Sequence, residues 1–519
     1  MDDKSVRMVP SEKLEDYSAM APAQDIEEDS DARLERLGRE RPPCFSSAWS
    51  ELTFCFSIVM SQILAEYYIS GSNILLPTLI SALDIPLASS IWPSTALSLA
   101  VTSTLLIFGR LADMYGGFAC YLFGATWLTL SSILAGVSQT WLMLVICRAL
   151  QGLALAAFLP SGLMILGSVY RPGPRKNLVF SVYGACAALG FFVGIFFSGL
   201  CGRFLSWRWY FFIGGILAAG TGCTSFFSIP SDFAERRRAR KVRMDWLGAG
   251  LLVPALVLLV FAIAGSSHAP RQWGTVYIGV CLALGVVLLG GFVYVEGWVV
   301  EDPLVTADVF AVSYMKPLLF SLVCLYGSLG IFLLYGALYM QGIMHASPLL
   351  IVAWTVPMAF GGLLISTVGG FILHRIPGTI LMLLSCLGYI GAGLFFALMP
   401  ENGGYWPFVF PAMVCGTIGI DISFNVTNIF ITSNMPLEKQ GLAGALINCT
   451  LHLGIALHLG FADIVQVNTE ELGLRKSYQA AFWFQVALSG LGLVVNALFV
   501  RISRAKSELT VDERRARGL

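Results

Sequence analysis

The sequence predicts an all-α polytopic membrane protein with fourteen transmembrane helices, arranged as two six-helix bundles with two inserted linker helices. Hydrophobic residues make up 56% of its 519 residues and charged residues only 12%, whereas a soluble domain is roughly 25% charged. About 20 apolar residues in a helix span a bilayer core, and many such segments follow one another. This composition excludes a soluble enzyme, a nucleic-acid-binding protein and a disulfide-stabilised domain, so no nucleic-acid partner is expected.

No pattern in the sequence is typical of a metal site or of catalysis. The twelve cysteines are scattered, with no Cys-x-x-Cys motif and no metal-like spacing with histidine. We therefore expect no metal and no cofactor. Nothing resembles a nucleotide-binding P-loop, and no nucleophile lies in a pattern with a base. The sequence thus predicts neither an ATP-driven pump nor an enzyme.

The chain begins with a polar tail, and the apolar segments follow it. Residues 1–50 contain seven Lys and Arg against twelve Asp and Glu, which predicts a disordered cytoplasmic segment. The predicted limits of the fourteen spans are 52–82, 91–111, 119–137, 141–166, 178–201, 207–229, 245–265, 275–298, 316–342, 347–372, 378–399, 407–432, 441–463 and 480–501. The predicted domains are an N-terminal bundle at 51–229, a basic cytoplasmic loop at 230–244, the inserted helices at 245–298, a C-terminal bundle at 299–502 and a cytoplasmic tail at 503–519.

Lys and Arg residues in the connecting segments predict the orientation in the membrane. With both termini in the cytoplasm, the cytoplasmic loops and tails contain 26 Lys and Arg, whereas the outside loops contain five. The largest cluster runs from Arg236 to Arg243 in the loop after span 6. The expected location is the plasma membrane, and a vacuolar membrane is the alternative.

Two loops of nine residues occupy the same position in the two bundles. Residues 109–117 lie between spans 2 and 3, and residues 370–378 lie between spans 10 and 11. Each loop begins and ends with glycine, and such a repeat is typical of secondary transporters. In the first loop, Asp113 is expected to cap the start of span 3, where the helix dipole favours an anion.

Several motifs resemble those of the major facilitator superfamily. Residues 109–117 (GRLADMYGG) resemble its signature loop, and residues 148–152 (RALQG) in span 4 resemble its second motif. Residues 419–424 (GIDISF) resemble the aminotriazole-resistance branch of the fungal fourteen-span drug:proton antiporters. Three glycines in span 5 resemble those of the antiporter motif, namely Gly190, Gly194 and Gly199.

The resemblance carries specific expectations. It implies that the two bundles are latched on the cytoplasmic side by a gate loop whose residues are Gly109, Arg110, Asp113, Gly116 and Gly117. It implies that the span 5 glycines support antiport. The expected partners are a small-molecule substrate, protons and the lipid bilayer, and the protein is expected to be a monomer.

Three ionisable residues lie at mid-span depth: Glu66 in span 1, Arg148 in span 4 and Asp421 in span 12. A charge at the bilayer centre costs about 3 kcal/mol or more, so such residues usually face a cavity or a partner. We predict that all three take part in proton coupling. The structural alternative is a fixed Glu66–Arg148 ion pair that only joins spans 1 and 4.

Polar side chains accompany these residues at helical spacing. They are Gln62, Ser70 and Asn73 beside Glu66; Thr417, Asn425 and Asn428 beside Asp421; Gln151 beside Arg148; and Asn448 with His452 in span 13. A polar helix face is expensive against lipid, so we predict that these residues line a substrate cavity. Amides that satisfy one another between helices are the alternative. His452 titrates near neutral pH and allows a proton role, with hydrogen-bonded packing as its alternative.

These observations predict a proton-coupled secondary transporter that exports small toxic compounds or secondary metabolites by alternating access. A carrier of borate, ammonium or a siderophore is the runner-up, which the resemblance also suggests. A membrane sensor that does not transport is a third class. The short tail after span 14 argues against a sensor, which usually has a long signalling segment.

Overall fold

The computed structural model describes residues 30–86, 89, 92–230, 243–267 and 269–517. Within this part of the chain, fourteen helices are long and apolar enough to cross a membrane. In chain order, spans 1 to 14 are Ala48–Ala82, Trp92–Tyr115, Gly117–Gly136, Trp141–Val169, Pro174–Phe204, Arg208–Ser228, Trp246–Ser266, Val276–Trp298, Met315–Gly342, Pro348–Ile372, Gly378–Ala397, Phe410–Ser433, Gln440–Asn468 and Leu474–Phe499. The predicted number of spans is confirmed.

The spans form two bundles and one additional pair. Spans 1 to 6 pack on one another, spans 9 to 14 pack on one another, and spans 7 and 8 form a hairpin beside them. Spans 2, 4 and 5 of the first bundle meet spans 10, 12 and 13 of the second. The predicted fold class is therefore confirmed.

Several spans begin where the sequence supplies a polar capping residue. The side chains of Ser47, Thr140, Asp245 and Ser347 each accept a hydrogen bond from a backbone N–H in the first turn of spans 1, 4, 7 and 10. A capping oxygen satisfies a donor that the helix leaves unpaired. These residues therefore set where the membrane helices start.

The connection between spans 2 and 3 is shorter than predicted. Span 2 continues to Tyr115, and only Gly116 separates it from span 3. Gly116 has a φ of 94°, which a glycine adopts at no steric cost. Gly109, Arg110 and Asp113 therefore lie on the last turns of a helix and not in a loop.

The two tails also differ from the prediction. Within the tail predicted as disordered, Ser30–Arg39 is a helix, and Arg175 Nη1 donates to the backbone oxygen of Arg39 at 3.1 Å. The C-terminal segment ends in a second short helix, Val511–Ala516, with a complete capping box from Thr510 and Glu513. Both short helices lie at the end of the molecule where span 1 starts and span 14 ends, which we name the terminal face. Most of the predicted basic loop, at 231–242, lies outside the described residues, as do residues 1–29.

The C-terminal segment crosses the terminal face as a strap. We define the strap as residues 500–517. The backbone N–H of Ala505 donates to Leu373 O at 3.1 Å, and Asn177 Nδ2 donates to Ala505 O at 2.8 Å. Further along, Glu513 pairs with Arg171 at 2.8 Å. Because Asn177 and Arg171 belong to the first bundle and Leu373 to the second, the strap bridges the two bundles.

Candidate functional site

A central cavity of about 370 Å³ lies between the two bundles. Its inner end is lined by side chains near the middle of their spans, including Glu66, Asp421 and His452. Its outer end is lined by Gln341 and Asp463, which lie near the ends of spans 9 and 13 opposite the terminal face. The cavity therefore extends from mid-membrane depth away from the terminal face.

Each bundle contributes one carboxyl group to the inner end of the cavity. Glu66 accepts a hydrogen bond from Gln62 Nε2 at 3.4 Å. Asp421 is 3% exposed and accepts a hydrogen bond from Ser366 Oγ at 3.2 Å. Among the described residues that line the cavity there is no Lys or Arg. A carboxylate buried without a cation is costly, and the described lining supplies no cationic side chain to either group.

The Glu66–Arg148 ion pair, considered from the sequence, is absent from the described residues. Arg148 is 1% exposed and donates four hydrogen bonds within the first bundle. The acceptors are the backbone oxygens of Pro93 and Tyr68, Ser72 Oγ and Gln151 Oε1. Tyr68 and Ser72 follow Glu66 by two and six residues, so they lie on another face of span 1. Arg148 and Gln151 thus join spans 1, 2 and 4 and do not line the cavity.

The polar stripe on span 12 faces other helices more than it faces the cavity. Of its residues, only Asp421 lines the cavity. Two of the other three bond to span 10, since Thr417 Oγ1 donates to Met358 O and Asn425 Nδ2 donates to Ser366 Oγ, and Asn428 Nδ2 donates to Phe424 O within span 12. The prediction that Thr417, Asn425 and Asn428 line the cavity is wrong for this conformation, because the spacing gives a face of the helix but not its neighbour.

The polar residues predicted at the cavity on spans 1 and 13 likewise include some that line it and some that do not. Gln62 and His452 line the cavity. Ser70 Oγ donates to Phe191 O in span 5 at 2.9 Å, and Asn448 Nδ2 donates to Gly444 O in its own helix at 2.9 Å. Neither Ser70 nor Asn448 lines the cavity, which corrects the prediction for both. The side chain of Asn73 lies outside the described part of the chain.

Asp113 caps a helix of the opposite bundle. Its Oδ1 accepts from the N–H of Gly441 at 2.8 Å, and its Oδ2 accepts from the N–H of Leu442 at 2.9 Å. Both N–H groups belong to the first turn of span 13, where the helix dipole favours a carboxylate. The expectation that Asp113 caps span 3 is wrong, because that residue lies on the last turn of span 2. The contact closes the terminal end of the boundary between spans 2 and 13.

The other residues of the signature segment support this closure. A Cβ on Gly109 would meet Gly441 O at 2.9 Å, so spans 2 and 13 are in backbone contact there. Arg110 Nε donates to Arg243 O at 3.2 Å, just before span 7. Gly117 allows span 3 to approach span 4, because its Cβ would lie 2.9 Å from Ile165 Cγ1.

Two of the three antiporter-type glycines form a close helix contact within the first bundle. A Cβ on Gly190 would lie 2.6 Å from Ile63 Cα, and one on Gly194 would lie 2.6 Å from Tyr67 O. Gly199 faces span 10 instead, with Leu349 Cδ2 at 3.4 Å from the added Cβ. The first two glycines therefore let span 5 pack tightly against the span that contains Glu66.

The sequence interpretation did not include several residues that line the cavity. Asp463 follows His452 by eleven residues, which is three helical turns on the same face. It was overlooked because the predicted span ended at this residue, whereas the helix continues to Asn468. Trp92 and Phe261 also line the cavity. No periodicity indicated that Phe261, on an inserted span, would reach it.

By its architecture, a membrane protein with two six-helix bundles around one central cavity belongs to the class of two-bundle transporters. The family model described as Major Facilitator Superfamily matches residues 58–458. This chain belongs to the Major Facilitator Superfamily, a family of transporters.

Several fungal relatives match most of this chain over most of their own length. The chain is 30% identical to the efflux pump terJ of Aspergillus terreus over 91% of this chain and 92% of the relative. It is 31% identical to the low affinity ammonium transporter of Saccharomyces cerevisiae over 82% and 83%. It is 28% identical to the aminotriazole resistance protein of the same yeast over 91% and 89%. The resemblance to the fungal drug-antiporter branch is thereby confirmed.

The fold is also similar to that of a solved structure. The proton:xylose symporter XylE has a TM-score of 0.63 with this chain, over 91% of this chain and 99% of that chain, at 11% sequence identity. At this identity the similarity supports the fold alone.

Proposed function

We propose that the protein is a proton-coupled efflux pump that exports small toxic compounds or secondary metabolites by alternating access. The observation that carries the proposal is the inner end of the cavity, which has one carboxyl from each bundle, Glu66 and Asp421, while the described lining contains no Lys or Arg. A proton or a cationic substrate supplies the missing positive charge. Because one carboxyl group accommodates one such partner at a time, proton uptake favours substrate release.

Orientation assigns the direction of transport. We propose that the terminal face is cytoplasmic. The excess of Lys and Arg in the connecting segments on that face supports this orientation. The cavity is then accessible from outside the plasma membrane. Protons enter from outside, bind a carboxylate oxygen of Glu66 or Asp421, and displace the substrate outward. Both carboxyls come from one chain, which supports function as a monomer.

The cavity lining supports an organic substrate. Its aromatic residues are Trp92, Phe191, Phe261 and Phe424. Together with the acidic groups, this lining suits an apolar compound with a positive charge. The relative named an efflux pump is consistent with that class.

A second candidate function is transport of a small nitrogenous cation such as ammonium. The 31% identity to a yeast ammonium transporter favours it, and so does the acidic lining. The cavity volume favours the first candidate, because one ammonium ion leaves most of about 370 Å³ unfilled.

Energised inside-out vesicles test the proposal. We would establish a proton gradient, follow it with a quenched dye, and add toxic metabolites, lipophilic dyes, ammonium and borate one at a time. We expect an organic cation to dissipate the gradient with the wild-type protein, and Glu66→Gln and Asp421→Asn to reduce this at least tenfold. Glu401→Gln is the matched control, because Glu401 is 81% exposed and pairs with Arg475 outside the cavity.

The result distinguishes the candidates. Dissipation by ammonium alone, beyond that seen in vesicles without the protein, would favour the second function. Full activity of Glu66→Gln would remove Glu66 from the mechanism. If no compound dissipates the gradient but compounds still bind, the protein is a sensor and the proton roles must be abandoned.

A further inference from the structure

We propose that the inserted span 7 is a third wall of the cavity, and that Phe261 contacts transported compounds through a flat apolar face. This inference rests on the proposed function and deepens it, because it names a specificity-determining residue and a substrate shape. It assigns a role to the inserted pair, which lies outside the two bundles.

Span 7 packs where the two bundles separate. At Gly460 of span 13 an added Cβ would lie 2.5 Å from Ile263 Cγ2 and 3.3 Å from the backbone nitrogen of Ala264. The helices are therefore in backbone contact at this level. On the other side of span 7, Trp92 of span 2 stacks on Phe261, with ring centroids 5.5 Å apart and planes at 20°. Span 7 thus fills the space between spans 2 and 13.

The side of span 7 between these contacts faces the cavity. Val260, Phe261, Ala264 and Gly265 all line it. They recur at steps of one, three and one, which keeps them on one side of the helix. Ala264 has a small side chain and Gly265 has none, so Phe261 is the largest group that span 7 presents to the cavity. An aromatic ring in this position attracts flat apolar groups and organic cations.

Span 8 has a different environment. Only 11% of its most apolar window is buried, against 44% for span 7. It approaches span 7 at Gly285, where an added Cβ would lie 2.8 Å from Leu259 Cγ. Span 8 therefore screens span 7 from lipid, and span 7 is the inserted helix that contributes to the cavity.

Cysteine labelling tests the wall directly and does not require transport. Phe261→Cys would be treated with a membrane-impermeant maleimide from the side opposite the terminal face. Leu338→Cys, also in the cavity lining, is the positive control. Val287→Cys on span 8, 69% exposed on the outer surface of the hairpin, is the negative control. The native protein gives the background, since none of its twelve cysteines lines the cavity.

We expect rapid labelling of Phe261→Cys and Leu338→Cys, and at least fivefold slower labelling of both when rhodamine 6G, a large planar cation, is present. If Leu338→Cys is labelled and Phe261→Cys is not, the proposal that span 7 forms a wall of the cavity is contradicted. Labelling of Phe261→Cys that rhodamine 6G does not slow would overturn the substrate contact. Labelling of neither would exclude an open cavity and the inference with it.

Selectivity provides the second measurement. Phe261→Ala should raise the KM for rhodamine 6G about tenfold and leave that for methylammonium nearly unchanged. Phe360→Ala is the matched control, because Phe360 is 68% exposed on span 10 and does not line the cavity. An equal change for both compounds would indicate a structural role and contradict the proposal. If no compound drives proton-coupled flux but rhodamine 6G still slows labelling of Phe261→Cys, the proposed function is refuted and the contact between Phe261 and the compound is retained.

Discussion

The two boundaries between the bundles are closed in different ways. Spans 5 and 10 are in contact along their whole length: Gly370 meets Leu178 near the terminal face, Gly362 meets Ala188 at mid-depth, and Gly199 meets Leu349 near the opposite face. We name this boundary the 5/10 seam. Spans 2 and 13 form the 2/13 seam, which is closed by Asp113 at the terminal face and filled by span 7 further out.

This difference separates a continuous contact from one that can open. In the 5/10 seam small residues bring two backbones together, so any change in their separation disturbs packing along both helices. In the 2/13 seam the two backbones meet only near the terminal face, at Gly109 and Gly441, where the Asp113 cap adds two hydrogen bonds, and span 7 lies between the two spans further out. We infer that alternating access changes the 2/13 seam more than the 5/10 seam.

The largest effect is expected from adding bulk to the continuous seam. In Gly362→Val the new Cβ would lie 2.6 Å from Ala188 Cβ, which moves only with its helix. In Gly460→Val the new Cβ lies 2.5 Å from Ile263 Cγ2 and 3.3 Å from the backbone nitrogen of Ala264, so it displaces span 7, which lies outside the two bundles, and leaves the packing between the bundles intact. Overpacking costs roughly 1–3 kcal/mol, so we expect Gly362→Val to lower the thermal unfolding temperature clearly more than Gly460→Val.

Transport adds a second readout to this pair. Gly460→Val should fold yet lose transport of rhodamine 6G, because it displaces span 7 from the cavity wall. Gly290→Val on span 8, where an added Cβ meets nothing within 4 Å, is the control for introducing valine. Equal melting temperatures for Gly362→Val and Gly460→Val would contradict the distinction between the seams.

A smaller effect is expected from weakening the terminal closure of the 2/13 seam. Asp113→Asn removes the charge and leaves one acceptor for two N–H groups. Hydrogen bonds to a charged group contribute about 1.5–3 kcal/mol, and each 1.4 kcal/mol is a factor of about ten. We expect a cysteine at Ala445, which is fully buried beside Gly109, to be labelled at least tenfold faster from the terminal face in this variant.

Asp245→Asn is the matched control for that prediction. Asp245 also caps a helix, since Gly248 N donates to its Oδ1 at 2.8 Å, but it caps its own span 7 and does not bridge the bundles. It should leave the labelling of Ala445→Cys unchanged. If Asp113→Asn also leaves it unchanged, the cross-bundle cap does not hold the terminal face closed.

The sequence predicts the features that depend on a single helix, and it does not predict those that depend on contacts between helices. Hydropathy indicates every span, because a membrane helix must present apolar side chains over about 20 residues. The cost of burying an ionisable group in a membrane helix predicts that Glu66, Asp421 and His452 face a cavity, and all three line the central cavity. Each of these predictions depends only on the free-energy cost of placing a side chain in the membrane, which can be judged from the sequence of one helix.

The sequence could not predict which residues of other helices a given side chain contacts. The partner of Asp113 was predicted wrongly, and the Glu66–Arg148 ion pair that was considered as an alternative is not formed among the described residues, since a cap or an ion pair across helices depends on packing between segments distant in the chain. Thr417 and Asn425 were predicted at the cavity because periodicity defines a helix face without its surroundings. Phe261 was overlooked because an apolar residue in an apolar helix gives no periodic signal.

The smallest effect is expected at the strap, which bridges the two bundles at the terminal face. Partial burial alone would raise the pKa of Glu513, but hydrogen bonds from Thr510 and the charge of Arg171 lower it below the ordinary value of 4.5. A carboxyl with a lowered pKa stabilises the docked state above the pKa of the undocked group and loses this contribution as pH falls. Docking of the strap is therefore complete at neutral pH and weakens below about pH 4.5.

Hydrogen exchange of residues 503–517 measures that docking. Because both side chains of the Arg171–Glu513 pair are 35% exposed, the pair contributes at most about 1 kcal/mol. We expect Glu513→Gln to speed exchange by a few-fold at pH 7 and to match the wild type at acid pH, where the wild-type carboxyl is also neutral. Glu508→Gln, an exposed change in the same strap, should have no effect. A constant ratio between Glu513→Gln and the wild type at every pH would show that the ion pair does not hold the strap, and closure of the terminal face would then depend on the Asp113 cap.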